Sequence, residues 1–200
     1  MSRIIAGSAG GRRIRMPSGR NTRPTTDRVR EAVFSAVAAW ARTADRPPEQ
    51  ALAGLAFCDL YAGSGAVGLE AASRGAAPVL LVEQDRSTVQ LIRRNAAELG
   101  LAVGVRPGDV PALLRRPAET GFDVVFADPP YDVPTPVAEA QLADLEAHGW
   151  LNRPALVMVE RSRRTPPPTW PASVTETWSR AYGETTVYFG VRAQVEEVNS

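Results

Sequence analysis

The sequence Asp128-Pro129-Pro130-Tyr131 contains the residue types best suited to chemistry on an amino group. Two consecutive prolines fix the backbone and remove two N–H donors, which leaves the Asp128 carboxylate and the neighbouring carbonyls as a rigid set of acceptors. The amino group of a nucleobase is a poor nucleophile because its lone pair is delocalised into the ring. Hydrogen bonds to Asp128 and to the Pro129 carbonyl would favour a pyramidal nitrogen, and Tyr131 would stack on the base. Taken alone, these residues could equally form a plain turn before a helix.

A glycine-rich turn forms a second candidate site upstream. The run Gly63-Ser64-Gly65-Ala66-Val67-Gly68 follows a short apolar strand and opens a helix, which permits a tight turn and a close approach of ligand atoms to the backbone. Glu83 ends the next strand, where a carboxylate can hold both hydroxyls of a ribose. On these features a nicotinamide dinucleotide and S-adenosylmethionine fit equally well, and a tight turn without a ligand is a third interpretation.

Asp59 favours S-adenosylmethionine over the nicotinamide cofactor. It ends the strand before the glycine turn, where it could bind the α-ammonium group that only S-adenosylmethionine carries, directly or through water, or could order the glycine loop. Asp109 ends the third strand region and could accept a hydrogen bond from the adenine amino group, although a helix N-cap is at least as good an interpretation. We therefore expect S-adenosylmethionine as cofactor and S-adenosylhomocysteine as product.

Alternating apolar strands and helices carry both candidate sites. We predict strands over residues 55–60, 78–82, 102–106, 122–127 and 155–160, with helices ending near residues 74, 99, 114 and 147. This alternation is typical of a parallel sheet covered on both faces, in which ligands bind outside the carboxyl ends of the strands. Two further β-type runs, over residues 173–180 and 185–191, predict an antiparallel hairpin at the edge of that sheet.

The N-terminal residues predict an extension of the sheet domain. Two short alternating runs around glycine and serine indicate a β-hairpin, and from Thr26 a helical period runs through Val29, Val33 and Val37. The length of 200 residues is typical of one domain. We predict a single domain over residues 1–192, made of the hairpin-and-helix extension (1–42) and a catalytic core (51–192), followed by a flexible tail (193–200).

The net charge of +1 conceals an uneven distribution. Residues 1–30 contain eight arginines and one acid, Asp27, and therefore carry +7, whereas residues 31–200 carry the other 15 basic and 21 acidic residues, which sum to −6. We predict that this basic arm binds the phosphates of a nucleic acid, and the alternative interpretation of Arg12, Arg13 and Arg15 is a solvated hairpin face. The expected RNA contacts are Arg3, Arg12, Arg13, Arg15, Arg20 and Arg28.

The scarcity of cysteine and histidine excludes several classes of site. Cys58 and His148 are single residues of their types, so an internal disulfide, a cysteine-rich zinc site and a Ser-His-Asp triad are not expected. No apolar run approaches the length of a membrane span, and the basic N-terminus lacks the apolar segment of a signal peptide. We expect a cytoplasmic monomer that binds no metal and no membrane.

With both motifs placed, the chain resembles the class I S-adenosylmethionine-dependent methyltransferases that act on nucleic-acid amino groups. It is most similar to the RsmD family of bacterial 16S rRNA guanine-N2 methyltransferases. The resemblance covers nearly the whole chain and is carried by the opening residues 3–7, the block Arg23-Pro24-Thr25-Thr26-Asp27-Arg28-Val29-Arg30-Glu31, the run Asp59-Leu60-Tyr61-Ala62-Gly63-Ser64-Gly65, Val82-Glu83 and Asp128-Pro129-Pro130-Tyr131. Gln84-Asp85 departs from the family pattern, because basic residues would be less surprising there.

This resemblance implies a Rossmann-like α/β fold with a seven-stranded, mostly parallel sheet whose last strand is reversed. It implies methylation of the N2 amino group of guanine 966 in 16S rRNA, with free rRNA, the 30S subunit or an assembly intermediate as partner. It also implies cofactor contacts from the loop around residues 23–26. The expected cofactor-binding residues are Arg23, Thr25, Thr26, Asp59, Tyr61, Ala62, Gly63, Ser64, Gly65, Glu83, Gln84, Asp109, Val110 and Asp128, and the expected catalytic residues are Asp128, Pro129, Pro130 and Tyr131.

Four other functions compete with this interpretation. A DNA or RNA adenine-N6 methyltransferase could use the same Asp128 motif, which does not choose between guanine N2 and adenine N6. Methylation of a protein glutamine would more naturally use Asn at that position. An NAD-dependent oxidoreductase would need a hydride-relay residue, and His148 has a sequence context typical of a surface or capping residue. A non-catalytic RNA-binding assembly factor could retain the fold.

Overall fold

The computed structural model describes residues 2–17 and 26–194. The strands are β1 (Ser2–Arg3), β2 (Arg13–Ile14), β3 (Phe57–Leu60), β4 (Val79–Glu83), β5 (Gly104–Pro107), β6 (Phe122–Ala127), β7 (Leu151–Ser162), β8 (Val174–Tyr182) and β9 (Thr185–Arg192). The helices are α1 (Asp27–Trp40), α2 (Ala66–Ser73), α3 (Arg86–Leu99), α4 (Val110–Leu114) and α5 (Thr135–Ala147), with a short 3-10 turn at Pro48–Gln50. Within the described ranges no helix is long and apolar enough to cross a membrane.

Seven strands form one sheet in the order β5-β4-β3-β6-β7-β9-β8. Strands β3 to β7 pair in parallel, whereas β9 is antiparallel to both β7 and β8. The predicted parallel sheet, its reversed last strand and the C-terminal hairpin are confirmed. Strand β9 of the hairpin lies between β7 and β8, so that β8 forms the edge of the sheet. Strand β7 begins at Leu151, earlier than the predicted residue 155. The prediction followed the apolar run, and the residues Asn152, Arg153 and Pro154 before that run carry no apolar pattern although they belong to the strand.

The N-terminal extension packs against the sheet. Strands β1 and β2 pair as the predicted hairpin. Thr26 caps α1, since its hydroxyl accepts a hydrogen bond from the Val29 amide at 3.3 Å. Apolar side chains of the extension, among them Ile4, Val33 and Phe34, belong to the same buried cluster as Phe57 of β3. The extension and the sheet therefore share one core.

Glu70 joins the extension to the sheet domain. Its carboxylate, on α2, is completely buried. It accepts hydrogen bonds from the backbone amides of Ile5 at 2.6 Å and Ala6 at 3.0 Å, and it forms ion pairs with Arg74 at 2.9 Å and with the buried Arg30 at 3.8 Å. A buried charge is tolerated only when it is paired and hydrogen-bonded, and Glu70 meets that condition with groups from the hairpin, from α1 and from Arg74, directly after α2.

Replacing Glu70 by alanine should destabilise the protein strongly. The change leaves the Ile5 and Ala6 amides without their acceptor and removes one of the two carboxylates near the buried Arg30, which keeps its ion pair with Asp27 at 2.7 Å. We therefore expect a loss of about 2–5 kcal/mol in the free energy of unfolding. Urea titration followed by circular dichroism measures it. Glu119→Ala is the control, since Glu119 is exposed and pairs with Arg106 at the surface; it should change stability by less than about 0.5 kcal/mol. Equal unfolding midpoints for the two variants would contradict the assigned role of Glu70.

Candidate active site

A cavity of about 540 Å³ opens at the carboxyl ends of the parallel strands. It brings together the glycine turn after β3, the end of β4, the segment between β5 and α4, and the segment after β6. Its wall contains Asp59, Tyr61, Ala62, Gly63, Ser64, Glu83, Gln84, Gly108, Val110, Asp128, Pro129, Pro130 and Tyr131. The two motifs singled out in the sequence, 65 residues apart, therefore line one cavity.

The three glycines of the turn have different surroundings. Gly63 has a positive φ of +52° and open space where a side chain would stand. Gly65, with φ +81°, and Gly68 are packed instead: a Cβ on Gly65 would lie 3.1 Å from Ile92, and one on Gly68 would lie 2.6 Å from Leu81. Only Gly63 therefore gives a ligand close access to the backbone, whereas Gly65 and Gly68 allow α2 to approach β4 and α3.

Asp59 orders the glycine turn. Its carboxylate is buried and accepts a hydrogen bond from the Gly68 amide at 2.8 Å, in the first turn of α2. Burial raises the pKa of Asp59 to about 7, despite the opposing effect of the Gly68 hydrogen bond and with a smaller contribution from the nearby Glu83 carboxylate. Of the roles considered for this residue, loop ordering is visible in the structure, and a contact with an ammonium group stays a prediction.

Glu83 holds the other side of the same turn. One carboxylate oxygen accepts a hydrogen bond from the Gly63 amide at 3.0 Å, and the other accepts one from the Asp85 amide at 2.8 Å. Asp85 in turn caps α3 by accepting from the Thr88 amide at 2.7 Å. The acidic residue that departs from the family pattern at this point thus has a structural role, and Glu83 remains at the cavity wall.

Three of the predicted cofactor-binding residues lie outside the cavity wall. Thr26 caps α1, Gly65 is packed against the core, and the exposed Asp109 caps α4 by accepting from the Ala112 amide at 3.0 Å. The neighbours of Asp109, Gly108 and Val110, do line the cavity. The capping interpretation of Asp109 is therefore confirmed, and its contact with an adenine stays a prediction. Arg23 and Thr25 lie outside the described residues.

The segment after β6 presents its aromatic ring to solvent beside the cavity. Asp128 is half-buried at the end of the strand, Pro129 is buried, and Tyr131 is 59% exposed. The Val133 amide donates to the Pro130 carbonyl at 3.0 Å, which closes a turn around the motif. An exposed ring next to a carboxylate and a proline-fixed backbone suits a planar ligand that enters from solvent.

Tyr61 lines the cavity with a side chain that is fixed by a hydrogen bond. Its backbone has a positive φ of 63°, unusual for a residue with a side chain, and its hydroxyl donates to the Gln141 side chain at 2.8 Å. Burial raises the pKa of Tyr61 to about 12, so the phenol is neutral at physiological pH. Tyr61 therefore contributes a fixed polar surface and no charge.

Comparison with known proteins assigns the chain to a family. The family model described as conserved hypothetical protein 95 matches residues 2–191. The chain is 37% identical over 173 residues to ribosomal RNA small subunit methyltransferase D of Escherichia coli, which covers 86% of this chain and 80% of that protein. It belongs to the RsmD family of methyltransferases.

Two further comparisons extend the match to the whole fold. The protein YlbH of Bacillus subtilis is 31% identical over 189 residues, with 92% of this chain and 96% of YlbH covered. The solved structure of yhhF from Escherichia coli superposes with a TM-score of 0.82 at 33% identity, and covers 97% of this chain and 99% of that one. The Rossmann-like class I fold expected from the sequence is thus confirmed.

The arginines of this RsmD-family arm have different surroundings. Arg12 donates to the Leu99 carbonyl at 3.0 Å and to the Glu98 carbonyl, so it binds the C-terminal end of α3. Arg15 pairs with the Glu98 carboxylate at 2.9 Å. Arg13 and Arg28 are exposed. Arg3 lies 3.9 Å from Asp27 at the surface, and Arg20 lies outside the described residues.

Several cavity residues carried no signal that the sequence analysis used. Met16 and Pro17, at the end of the hairpin, line the cavity together with Phe126 and Asp132. The position of Met16 and Pro17 depends on the docking of the extension, which local sequence patterns do not show.

Among residues 2–17 and 26–194, no group of three or more histidine, cysteine, aspartate or glutamate side chains is placed to hold a metal ion.

The raised pKa of Asp59 predicts a pH dependence of stability. An acid whose pKa rises on folding binds its proton more tightly in the folded state, so stability should fall as the pH rises from about 4 to about 7. Asp59→Asn keeps an acceptor for the Gly68 amide and removes the titration. Between pH 5 and pH 7.5 the wild type should lose about 2.5 kcal/mol of unfolding free energy relative to the variant. Urea titrations of both proteins at the two pH values measure this difference, and parallel profiles would contradict the assignment.

Proposed function

We propose that this RsmD-family protein transfers a methyl group from S-adenosylmethionine to the exocyclic N2 amino group of a guanine in 16S rRNA, at the position that the family resemblance gives as 966. The observation that carries the proposal is the single cavity in which the glycine turn, Glu83 and the Asp128 motif meet. The name of the relative in Escherichia coli supports a ribosomal RNA substrate. The protein acts as a cytoplasmic monomer on the rRNA, on the 30S subunit or on an assembly intermediate.

The residues of the cavity fit S-adenosylmethionine. Gly63 leaves open space at the turn, and Glu83 at the cavity wall keeps free acceptor capacity for ribose hydroxyls, since a carboxylate accepts about four hydrogen bonds and the structure shows two. Asp59 has a pKa of about 7, and an ammonium group nearby favours its ionised form. When bound, S-adenosylmethionine supplies a methyl group activated by its attachment to a cationic sulfur.

The Asp128 segment orients the accepting amino group. Asp128 and the Pro129 carbonyl accept its two N–H bonds, which favours a pyramidal nitrogen with its lone pair directed towards the methyl group. Tyr131 stacks on the base and fixes its plane. A strong base is unnecessary, because the nitrogen becomes acidic only after it is methylated. Positioning supplies most of the acceleration.

The exposure of Tyr131 defines how the base must arrive. A stacked and paired base presents only its edge, so the target must leave its stack or lie unpaired in a loop before it can cover the Tyr131 ring. The family, rather than any residue of the cavity, carries the choice of guanine N2 over adenine N6, since the Asp128 acceptors suit either amino group.

Asp128→Ala should abolish methyl transfer while the binding of S-adenosylmethionine survives. The change removes an acceptor for the amino group, and we expect turnover to fall by at least about 100-fold with a dissociation constant for the cofactor within about threefold of wild type. Methyl transfer from labelled cofactor to undermethylated 30S subunits, naked 16S rRNA and duplex DNA, followed by nucleoside analysis, measures turnover and product. Isothermal titration measures cofactor binding.

Each result of this experiment discriminates between functions. N2-methylguanine as product supports the proposal, N6-methyladenine overturns the guanine assignment, and tight NAD binding without S-adenosylmethionine binding overturns the methyltransferase mechanism. The control is Asp45→Ala, because Asp45 is an exposed carboxylate in the loop after α1 and should leave turnover unchanged. Simultaneous loss of cofactor binding and turnover in Asp128→Ala would indicate a structural role for Asp128.

Arg13 is the arm residue whose replacement tests RNA binding most cleanly. It is exposed in β2, whereas Arg12 and Arg15 also hold the hairpin against α3. Arg13→Gln should weaken RNA binding and lower the slope of log affinity against log salt by about 0.7–0.9, the value for one phosphate contact. Filter binding at several salt concentrations measures the slope. Arg46→Gln, an equal loss of charge in the loop after α1, should leave the slope unchanged; an identical effect of both changes would remove Arg13 from the interface.

A further inference from the structure

Arg161 is a buried cation at the edge of the proposed catalytic segment. It lies near the carboxyl end of β7, and only 5% of its surface is exposed. Its Nη2 atom donates to the Val133 carbonyl at 2.6 Å. The Val133 amide donates to the Pro130 carbonyl, so this one guanidinium holds the turn that follows the catalytic motif. Sequence patterns had assigned no role to this arginine.

The charges around Arg161 come from three other elements. Its guanidinium interacts electrostatically with Tyr61 after β3, Asp128 after β6 and Tyr188 on β9, which partly offset the effect of burial on its pKa. Tyr61 is neutral at physiological pH and its hydroxyl donates to Gln141. Asp128, at the start of the catalytic segment, is the carboxyl group among these three.

Stability alone is a weak explanation for this arrangement. Burying a guanidinium is costly, and its Nη1 atom is buried without a hydrogen-bond partner among the described residues. An apolar side chain of similar length would avoid that cost. The segment that Arg161 holds is exposed at Pro130, Tyr131 and Asp132, and so has little packing of its own to keep it in place.

We propose that Arg161 is a positioning residue for methyl transfer, which fixes the turn after Asp128 and Tyr131 through its hydrogen bond to the Val133 carbonyl. The inference rests on the proposed function, because it concerns the loop that receives the amino group. The hydrogen bond to Val133 limits the movement of the stacking ring, and small displacements of reacting groups cost large factors in rate.

Two variants of Arg161 test its hydrogen bond to the Val133 carbonyl. Arg161→Met removes the donor at similar length, whereas Arg161→Lys keeps an N–H donor and loses the planar guanidinium. We expect Arg161→Met to lower kcat by about 10- to 100-fold, with a KM for rRNA and a cofactor dissociation constant within about threefold of wild type. Arg161→Lys should recover part of the lost kcat.

Arg192 supplies a matched control for the burial of an arginine. It lies at the end of β9 opposite Ala155, at the other end of β7 from Arg161, is 6% exposed, and donates to the Leu151 carbonyl at 2.8 Å. Arg192→Met should reduce the unfolding temperature in the way that Arg161→Met does, yet leave kcat unchanged. The comparison distinguishes a general loss of stability from a specific effect on the catalytic turn.

The outcomes test the inference separately from the proposed function. If the wild type methylates rRNA but Arg161→Met retains its kcat, the role of Arg161 is overturned. Equal losses of activity in Arg161→Met and Arg192→Met would overturn it too. If Arg161→Met does not fold, Arg161→Gln, whose shorter side chain displaces the donor from Val133, must lower kcat while the cofactor dissociation constant stays within about threefold of wild type. A wild type without methyl transfer to any RNA would instead contradict the proposed function itself.

Discussion

The buried carboxylate of Glu70 is the constraint on which the arrangement of the site depends. It must be paired because it is fully buried, and its partners come from the hairpin, from α1 and from α2. Helix α2 begins at the glycine turn, where Asp59 accepts from the Gly68 amide. One short helix therefore connects two buried carboxylates: one positions the turn, and the other docks the extension, which in turn places Met16 and Pro17 in the cavity wall.

The acidic side chains of the cavity shape it before any ligand arrives. Asp59 and Glu83 already accept hydrogen bonds from backbone amides of the glycine turn, and Asp109 caps the helix that follows β5. These carboxylates thus have a structural task in addition to the ligand contacts expected of them. The consequence for the RsmD family is that replacing such an acid changes the form of the turn as well as its affinity for a ligand, and the two effects must be measured apart.

The sequence predicted the elements and the meeting of the two motifs, because alternating strands and helices define a parallel sheet and ligands bind at its carboxyl edge. It did not predict which groups contact one another across the fold. Arg12 reaches the Leu99 carbonyl 87 residues away, and Arg161 holds Val133 from a different strand. Such contacts depend on the packing of distant segments, and neither hydrophobic period nor local spacing reports them. Asp109 shows the opposite case, since its capping role follows from its position immediately before a helix.

The N-terminal arm also shows that a count of charges in the sequence does not reveal which groups those charges contact in the fold. The +7 of residues 1–30 suggests a surface for RNA, yet Arg30 is buried beside Glu70, Arg12 binds the end of α3, and Arg15 pairs with Glu98. All three cations contribute to the fold. Arg30 is completely buried, whereas Arg12 and Arg15 are exposed like Arg13 and Arg28 but already use part of their hydrogen-bonding capacity within the protein. The sum over a segment therefore overstates its electrostatic attraction for RNA. What matters is the partner of each arginine, which for this arm is decided by the docking of the hairpin against α2 and α3.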